Sequence, residues 1–360
     1  MADLPETHVL AIASHVTSGY VGNTMATFCM QTLGCEVSSI NTVNYSNHVG
    51  YGRFSGRKSS PEEVAELYEG LKKAKLDNFD MMLSGYCPSA TLVEQVGKIA
   101  RELKLRATTS PGSFFWILDP VMGDNGRIYV AEDTVPAYKS LLQDADLILP
   151  NQFEAELLSG IKISDVSTMA QAISKLHEEY RLPHIILTSV RLPPTTSNTP
   201  AASDEDLAAD AKISIIGSTA TSDMKPRLFR LTVPALPVYF SGTGDMFASL
   251  MIARLREAAQ SAGLLQTPSW RSPDSVAGPD LPLAKAAEKV LASMHAVLED
   301  TMKHYETVDK RVREQHGNDE TQKHLTLTRA AEVRVVRNAR ALREPAELEG
   351  FQARPMEIDA

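Results

Sequence analysis

Long apolar runs are missing from this chain of 360 residues. None reaches the roughly 18 residues that a membrane-spanning helix needs, so no transmembrane segment is expected. Cysteine is scarce: Cys29, Cys35 and Cys87 are the only three. They lack metal-ligand spacing and read as reduced thiols, not as a disulfide framework. Positive charge is also in short supply. The 36 Lys and Arg face 45 Asp and Glu, for a net charge of -9, which leaves no basic stripe for a nucleic-acid backbone. Met1 to Glu6 is polar and acidic, unlike a signal peptide. The expectation is a soluble cytoplasmic protein, with a nuclear pool left open. Familiar nucleotide loops are absent too. There is no G-x-x-x-x-G-K-[ST] segment, no G-x-G-x-x-G after a strand, and no protein-kinase set. Any phosphate cradle must be built another way.

What is present points to a real core. Hydrophobic residues make up 43% and charged residues 22%, which suits one large α/β domain or two ordinary ones. Short apolar runs predict strands at 8–13, 36–40, 79–83, 114–118, 147–149 and 185–187. Helical patterns fall between them, at 22–33, 61–74, 90–103, 135–142, 152–158 and 169–180. Such alternation implies a mostly parallel sheet covered by helices on both faces, with ligands at the carboxyl ends of the strands. Runs at 213–216 and 228–233 predict a late antiparallel pair, and 283–305 a closing helix. Segments 191–211, 261–282 and 309–322 are rich in Pro, Ser, Gly or charge and read as loop or disordered insertions. The residues at 338–360 read as a weakly structured tail behind a single domain at 1–337. No internal repeat is visible.

The most informative residues are Gly242-Thr243-Gly244-Asp245, set just before an apolar helix that starts at Met246. Two glycines let the backbone turn its N–H groups toward one point. The helix start adds unpaired N–H groups and the positive end of its dipole. That combination is an anion socket. A carboxylate beside it makes sense if Asp245 takes a proton from a hydroxyl that attacks a phosphate, although an Asp is favoured in a first helical turn by the dipole alone.

Other candidates fall where strands end. Ser14 closes the first strand and is favoured for a substrate hydrogen bond. Asn44 to Gly52 reads as a small flap, in which His48 alone is more often structural than catalytic. Asp119 and Asp124 flank a turn after a strand and suit Mg²⁺ and phosphate, although Asp-Pro and Gly-Asp are also ordinary turn chemistry. Asn151 with Glu154 reads as a capping box, and equally as a pair in which Glu154 holds a magnesium water. Thr188 and Ser189 are candidates for a nucleotide phosphate or ribose.

With these residues assembled, the chain resembles the pyridoxal kinase family of the ribokinase-like superfamily. The likeness rests on SHVTSGYVGN (14–23), NYSNHVGYG (44–52), ELYEGL (66–71), SGYCPS (84–89), DPVMGDNGRIYVAED (119–133), LPNQFEAELLSG (149–160) and FSGTGDMFASL (240–250). It covers 8–305 apart from the insertions. The resemblance implies a three-layer α/β/α fold with a flap over the site, and ATP-dependent phosphorylation of the 5′-hydroxymethyl of pyridoxal, pyridoxine and pyridoxamine. It implies Asp245 as the base, with Gly242, Thr243 and Gly244 as the anion hole. It places Ser14, Val21, Val43, Tyr45 and Tyr86 around the pyridine ring. Asp119, Asp124, Tyr129, Asn151, Glu154, Thr188 and Ser189 fall on the nucleotide and metal side. Mg²⁺, K⁺ and a homodimer belong to the same implication. Val49 and Leu149 depart from the family pattern, which usually has Thr at both positions. The insertions at 191–211 and 261–282 are expected to border the nucleotide side. Two other readings stand beside this one: a hydroxymethylpyrimidine-type kinase, and a non-catalytic protein that binds B6 vitamers.

Overall fold

Four successive residues of the first strand, Val9, Leu10, Ala11 and Ile12, are fully buried. A strand with no exposed side must be covered on both faces. A computed structural model, which describes residues 5–124, 126–191, 212–314 and 319–356, shows how. The chain runs through β1 (His8–Val16), α1 (Gly22–Thr32), β2 (Glu36–Tyr45), β3 (Gly56–Lys58), α2 (Pro61–Lys73), β4 (Met81–Ser84) and α3 (Ala90–Arg106). Next come β5 (Phe115–Leu118), a small hairpin of β6 (Gly123–Asp124) and β7 (Arg127–Ile128), α4 (Thr134–Lys139), β8 (Leu147–Ile148), α5 (Gln152–Ser159), α6 (Val166–Tyr180) and β9 (His184–Val190). The last part holds β10 (Lys212–Ala220), β11 (Pro226–Pro234), α7 (Thr243–Ser261), α8 (Pro282–Glu314), α9 (Glu320–Ala330), α10 (Ala339–Arg343) and β12 (Arg354–Pro355).

The main sheet has the order β12-β11-β10-β9-β8-β5-β4-β1-β2-β3. Its centre, from β9 to β2, is parallel. Both ends are antiparallel: β10 and β11 form the expected pair, and β3 turns back on β2. Side chains alternate across a strand. Val9 and Ala11 therefore join the core under α1, α7 and α8, with Met25, Met251 and Ala287. Leu10 and Ile12 join the opposite core under α2, α3 and α6, with Val64, Val96 and Ile173. Local signals set the helix starts. Ser60 accepts from the Glu63 N–H at 3.2 Å while the Glu63 carboxylate accepts from the Ser60 N–H at 2.8 Å, with Pro61 opening α2. Cys29, Cys35 and Cys87 are buried and free, and burial pushes each thiol up to about 12.

Two expectations from composition are corrected and a third is narrowed. Segment 261–282 is largely a loop, as one of its two readings had it, but it is ordered and does not border the ligand edge. Trp270 is buried, stacks on Phe115 with ring centroids 4.3 Å apart, and donates its indole N–H to the Gly112 carbonyl at 2.8 Å. Ser269 accepts from His184 through its carbonyl and donates to Asp146 through its hydroxyl. Phe115, His184 and Asp146 all mark the amino ends of strands, so this segment caps the edge opposite the ligand edge. Its Pro and Ser content reflects turns held by one large aromatic, not disorder. Residues 309–314 continue α8, and Glu320 opens α9, so much of 309–322 is helical. The tail at 338–360 is packed as far as it is described. Leu342 and Phe351 are buried, and β12 pairs with β11 at the sheet edge. Residues 192–211 of the first insertion lie outside the described residues.

Trp270→Ala is expected to cost about 3–5 kcal/mol, because it removes a fully packed aromatic together with its stacking on Phe115. Urea unfolding checks this. Because Trp270 sits at the far edge of the sheet, ligand binding at the carboxyl ends of the strands should stay near that of the parent protein.

Candidate active site

The carboxyl ends of β1, β4, β5, β8 and β9 share one edge, and the start of α7 comes to the same edge. Gly242 is the N-cap of α7, with φ 85°, in the left-handed region that glycine tolerates. A Cβ there would lie 2.2 Å from the Tyr20 carbonyl oxygen, so the loop packs directly on the β1–α1 turn. The first helical bond of α7 runs from the Met246 N–H to the Gly242 carbonyl at 2.9 Å. Helix geometry therefore leaves the N–H groups of Thr243, Gly244 and Asp245 without intrahelical acceptors, as an anion socket requires. Gly244 is open, with nothing within 4 Å of its Cβ position.

Asp245 stands in the first turn beside that socket and accepts a hydrogen bond from the Gly22 N–H. Enclosure in the cleft raises its carboxyl from the ordinary value of 3.8 to about 6, and the Gly22 N–H partly offsets the shift. Gly22 is itself pinned: its φ is 52°, and a Cβ there would sit 2.3 Å from the Ser14 hydroxyl and 2.0 Å from the Ser14 carbonyl oxygen. Ser14, Gly22 and Asp245 thus come together from β1, α1 and α7.

A second group of acids lies alongside. Asp119 directly follows β5, its N–H donating to the Ser84 carbonyl at 2.8 Å. Burial holds its carboxyl well above the ordinary range, and the charges of Glu154 and Asp245 add to this. Asn151 and Glu154 form the expected capping box: the Asn151 side-chain oxygen accepts from the Glu154 N–H, and the Glu154 carboxylate accepts from the Asn151 N–H, each at 2.9 Å. Glu154 also accepts from the Met122 N–H at 2.8 Å and the Gly123 N–H at 3.4 Å, while the Asn151 amide donates to the Gly123 carbonyl at 2.8 Å. Burial, with a smaller contribution from the Asp124 charge, raises Glu154 to about 7 against these N–H groups. Capping and a place at the ligand edge are both true of this pair. Asp124 sits in the β6–β7 hairpin opposite Arg127. Tyr129 is exposed on the loop that follows, its N–H on the Met122 carbonyl at 3.1 Å. Thr188 and Ser189 are half-buried near the end of β9, with the Thr188 N–H on the Pro150 carbonyl at 3.0 Å.

The other residues expected around a ring lie in β2, just after β4 and in the β1–α1 turn. Val43 is buried in β2, and Tyr45 packs on Phe54 with centroids 4.9 Å apart. The Tyr86 carbonyl accepts from the Thr42 hydroxyl at 2.7 Å. Burial raises the Tyr86 phenol, as does its neighbour Tyr45. A Val21 methyl lies 3.2 Å from the Cβ position of Gly242. The β2–β3 hairpin forms the flap. Its turn at Val49–Tyr51 brings the Gly50 Cβ position to 3.6 Å from the Ser241 hydroxyl, next to the anion loop. Of the two departures from the family pattern, Val49 is 62% exposed on the flap turn and Leu149 lies in the core at 2%. Sequence reasoning did not single out Gly22, Ser241 or Glu332. Gly22 had a signal in the glycine-punctuated turn; Glu332 had none, because its contacts are remote in sequence.

The chain is similar to known proteins in sequence and in fold. The phosphomethylpyrimidine kinase family model matches residues 93–262. The chain is 34% identical over 310 residues to pyridoxal kinase from Homo sapiens, covering 82% of this chain and 86% of that protein. It is likewise 34% identical over 309 residues to pyridoxal kinase from Bos taurus, covering 83% and 86%. Pyridoxal kinase from Leishmania donovani, solved in complex with ADP and pyridoxamine, superposes with a TM-score of 0.75 at 27% identity, over 98% of this chain and 100% of that one. The fold is therefore the ribokinase-like three-layer fold, and the chain belongs to the pyridoxal kinase family.

Proposed function

We propose that this chain transfers the γ-phosphoryl group of ATP to the 5′-hydroxymethyl of pyridoxal, and also of pyridoxine and pyridoxamine, giving the 5′-phosphate in vitamin B6 salvage. The observation that carries this reading is Asp245, a carboxyl raised to about 6, standing beside the N–H groups that open α7. Phosphoryl transfer passes through a loose transition state, so catalysis is mostly positioning and charge stabilisation. Val21, Val43, Tyr45 and Tyr86 hold the ring, with Ser14 as a hydrogen-bonding partner. Asp245 orients the hydroxyl and accepts its proton late in the step. The N–H groups at 242–245 meet the developing charge on the phosphoryl oxygens. The flap excludes water, which limits wasted hydrolysis of ATP. Asn151, Tyr129, Thr188 and Ser189 form the nucleotide side.

The acids also suit a divalent cation. Asp119 and Glu154 are buried carboxyls at 8% and 3% exposure, each raised by burial and by further acidic neighbours, and a cation relieves that repulsion. Among the described residues no three such side chains form a ready-made cage. That suits Mg²⁺, which is usually held by one or two carboxylates together with substrate phosphates. Asp119 would hold it, with Asp124 and Glu154 acting through water, and bound Mg²⁺ would neutralise charge on the transferred group. K⁺, a homodimer and a cytoplasmic location complete the proposal, on resemblance alone. No helix among the described residues is long and apolar enough to cross a membrane.

The family-model match at 93–262 favours a second reading, a hydroxymethylpyrimidine-type kinase. That stretch contains Asp119, Asn151 and Asp245 but none of Ser14, Val21, Val43, Tyr45 and Tyr86. It therefore speaks for the phosphoryl machinery and not for the ring pocket. A B6-binding protein without turnover is opposed by Asp245 and its anion socket. The test compares kcat/KM for pyridoxal and for hydroxymethylpyrimidine with ATP and Mg²⁺. A preference for pyridoxal of at least about tenfold is expected from a pocket fitted to its ring. The reverse preference would replace the proposal with the second reading.

A further inference from the structure

Glu332 follows α9 and belongs to none of the motifs, yet its carboxylate joins the flap to the β1–α1 turn. It lies 3.1 Å from His48 Nε2 and accepts from the Tyr51 hydroxyl at 3.0 Å, both in the flap. It also accepts from the Tyr20 N–H at 3.3 Å, in the β1–α1 turn. The fit at that turn is close: a Cβ on Gly19 would lie 2.7 Å from this carboxylate. The Glu332 side chain is 18% exposed, and burial, together with the Glu332 charge, pushes the Tyr51 phenol up to about 12. A second link runs in parallel, from His324 Nε2 of α9 to the Gly50 carbonyl at 3.1 Å; a carbonyl only accepts, so this nitrogen carries the proton.

Both elements that Glu332 holds bear on the reacting centre. The Tyr20 carbonyl abuts Gly242, and the Gly22 N–H donates to Asp245. The flap abuts Ser241 through Gly50. The base that presents Glu332 is independently fixed. Val333 and Val335 are buried, and Arg334 pairs with Asp300 at 3.2 Å. Removing the carboxylate therefore loosens the flap without unseating the segment. We propose that Glu332 is a positioning residue for the kinase reaction, drawing the flap onto the β1–α1 turn and so closing the ring pocket over Asp245. This inference rests on the function proposed above.

The test uses Glu332→Ala and Glu332→Gln in the full chain, beside the parent protein. For Glu332→Ala, KM for pyridoxal is expected to rise about tenfold, while kcat and KM for ATP change less than about threefold, the pattern of lost substrate binding. ATP hydrolysis without pyridoxal should rise, and trypsin should cut faster at the exposed Arg53 and Arg57 of the flap. Glu332→Gln keeps an acceptor for the Tyr51 hydroxyl or the Tyr20 N–H and should recover part of the loss. An unchanged KM for pyridoxal in an active protein overturns the proposal, as does an equal fall in every parameter together with a lower Tm. If the parent protein forms no pyridoxal 5′-phosphate, the kinase reading fails, and trypsin cleavage of the flap decides the clasp: faster cutting in Glu332→Ala supports it, and equal cutting overturns it.

Discussion

Asp245→Asn is expected to lower kcat by about 10²–10⁴-fold with little change in either KM, and to make the protein more stable at neutral pH. The first effect follows from losing the proton acceptor while keeping shape and an oxygen for the Gly22 N–H. The second follows from linkage. The carboxyl titrates near 6 in the folded chain against an ordinary 3.8, so the folded state holds its proton more tightly than the unfolded state. Stability is then unaffected by this group below about pH 4, falls as pH rises through the window from about 4 to 6, and stays lowered above it. Asparagine never ionises and escapes that cost, which is on the order of 1–3 kcal/mol for a carboxyl raised this far. Urea unfolding of both proteins at pH 4 and pH 7.5 checks the sign: the stabilisation should appear only at the higher pH. In the same account kcat/KM of the parent protein falls on the acid side with an apparent pKa near 6. A variant that loses activity without gaining stability at pH 7.5 would mean that the carboxyl is not strained in the folded chain.

The second large effect is at Gly242. Alanine there meets two separate penalties. The left-handed φ of 85° costs a residue with a Cβ about 1–2 kcal/mol, and the new methyl would stand 2.2 Å from the Tyr20 carbonyl oxygen. The obstacle is backbone and cannot rotate away, so the anion loop and the β1–α1 turn must separate. A displacement of about 1 Å at a reacting centre costs on the order of 100-fold in rate. Gly242→Ala is therefore expected to lower kcat at least that far and to lower Tm. Gly244→Ala separates fold from chemistry, because its Cβ position meets nothing within 4 Å. It should keep the parent Tm and lose activity only through a hindered approach of phosphate. Equal stability of the two variants would contradict the assigned packing of Gly242.

The sequence carried the parts of this protein that rest on local chemistry. Ser60-Pro61 with Glu63, and Asn151 with Glu154, announced helix starts because capping needs only neighbours at fixed spacing. Fully apolar strands announced a doubly covered sheet, and with it the edge at which Ser14, Asp119, Asn151 and Asp245 meet. Contacts between distant segments stayed hidden. Trp270 sits among Pro, Ser and Gly, and only its stacking on Phe115 shows that 261–282 is ordered. Phe351 and β12 hold the tail to the body of the protein through partners far along the chain. Glu332 meets His48 and Tyr20 across nearly the whole sequence, so no periodicity or spacing signals it. The acids were legible as a group, but their raised pKa values were not, because those depend on how deeply the fold buries each carboxyl.

The decisive assay is formation of pyridoxal 5′-phosphate from pyridoxal and ATP by the purified chain, with Mg²⁺ and K⁺ present and Asp245→Asn alongside. ATP-dependent turnover is expected, falling by at least about 100-fold in the variant. Folded protein that binds ATP and pyridoxal yet phosphorylates no B6 vitamer would contradict it and point to a binding role.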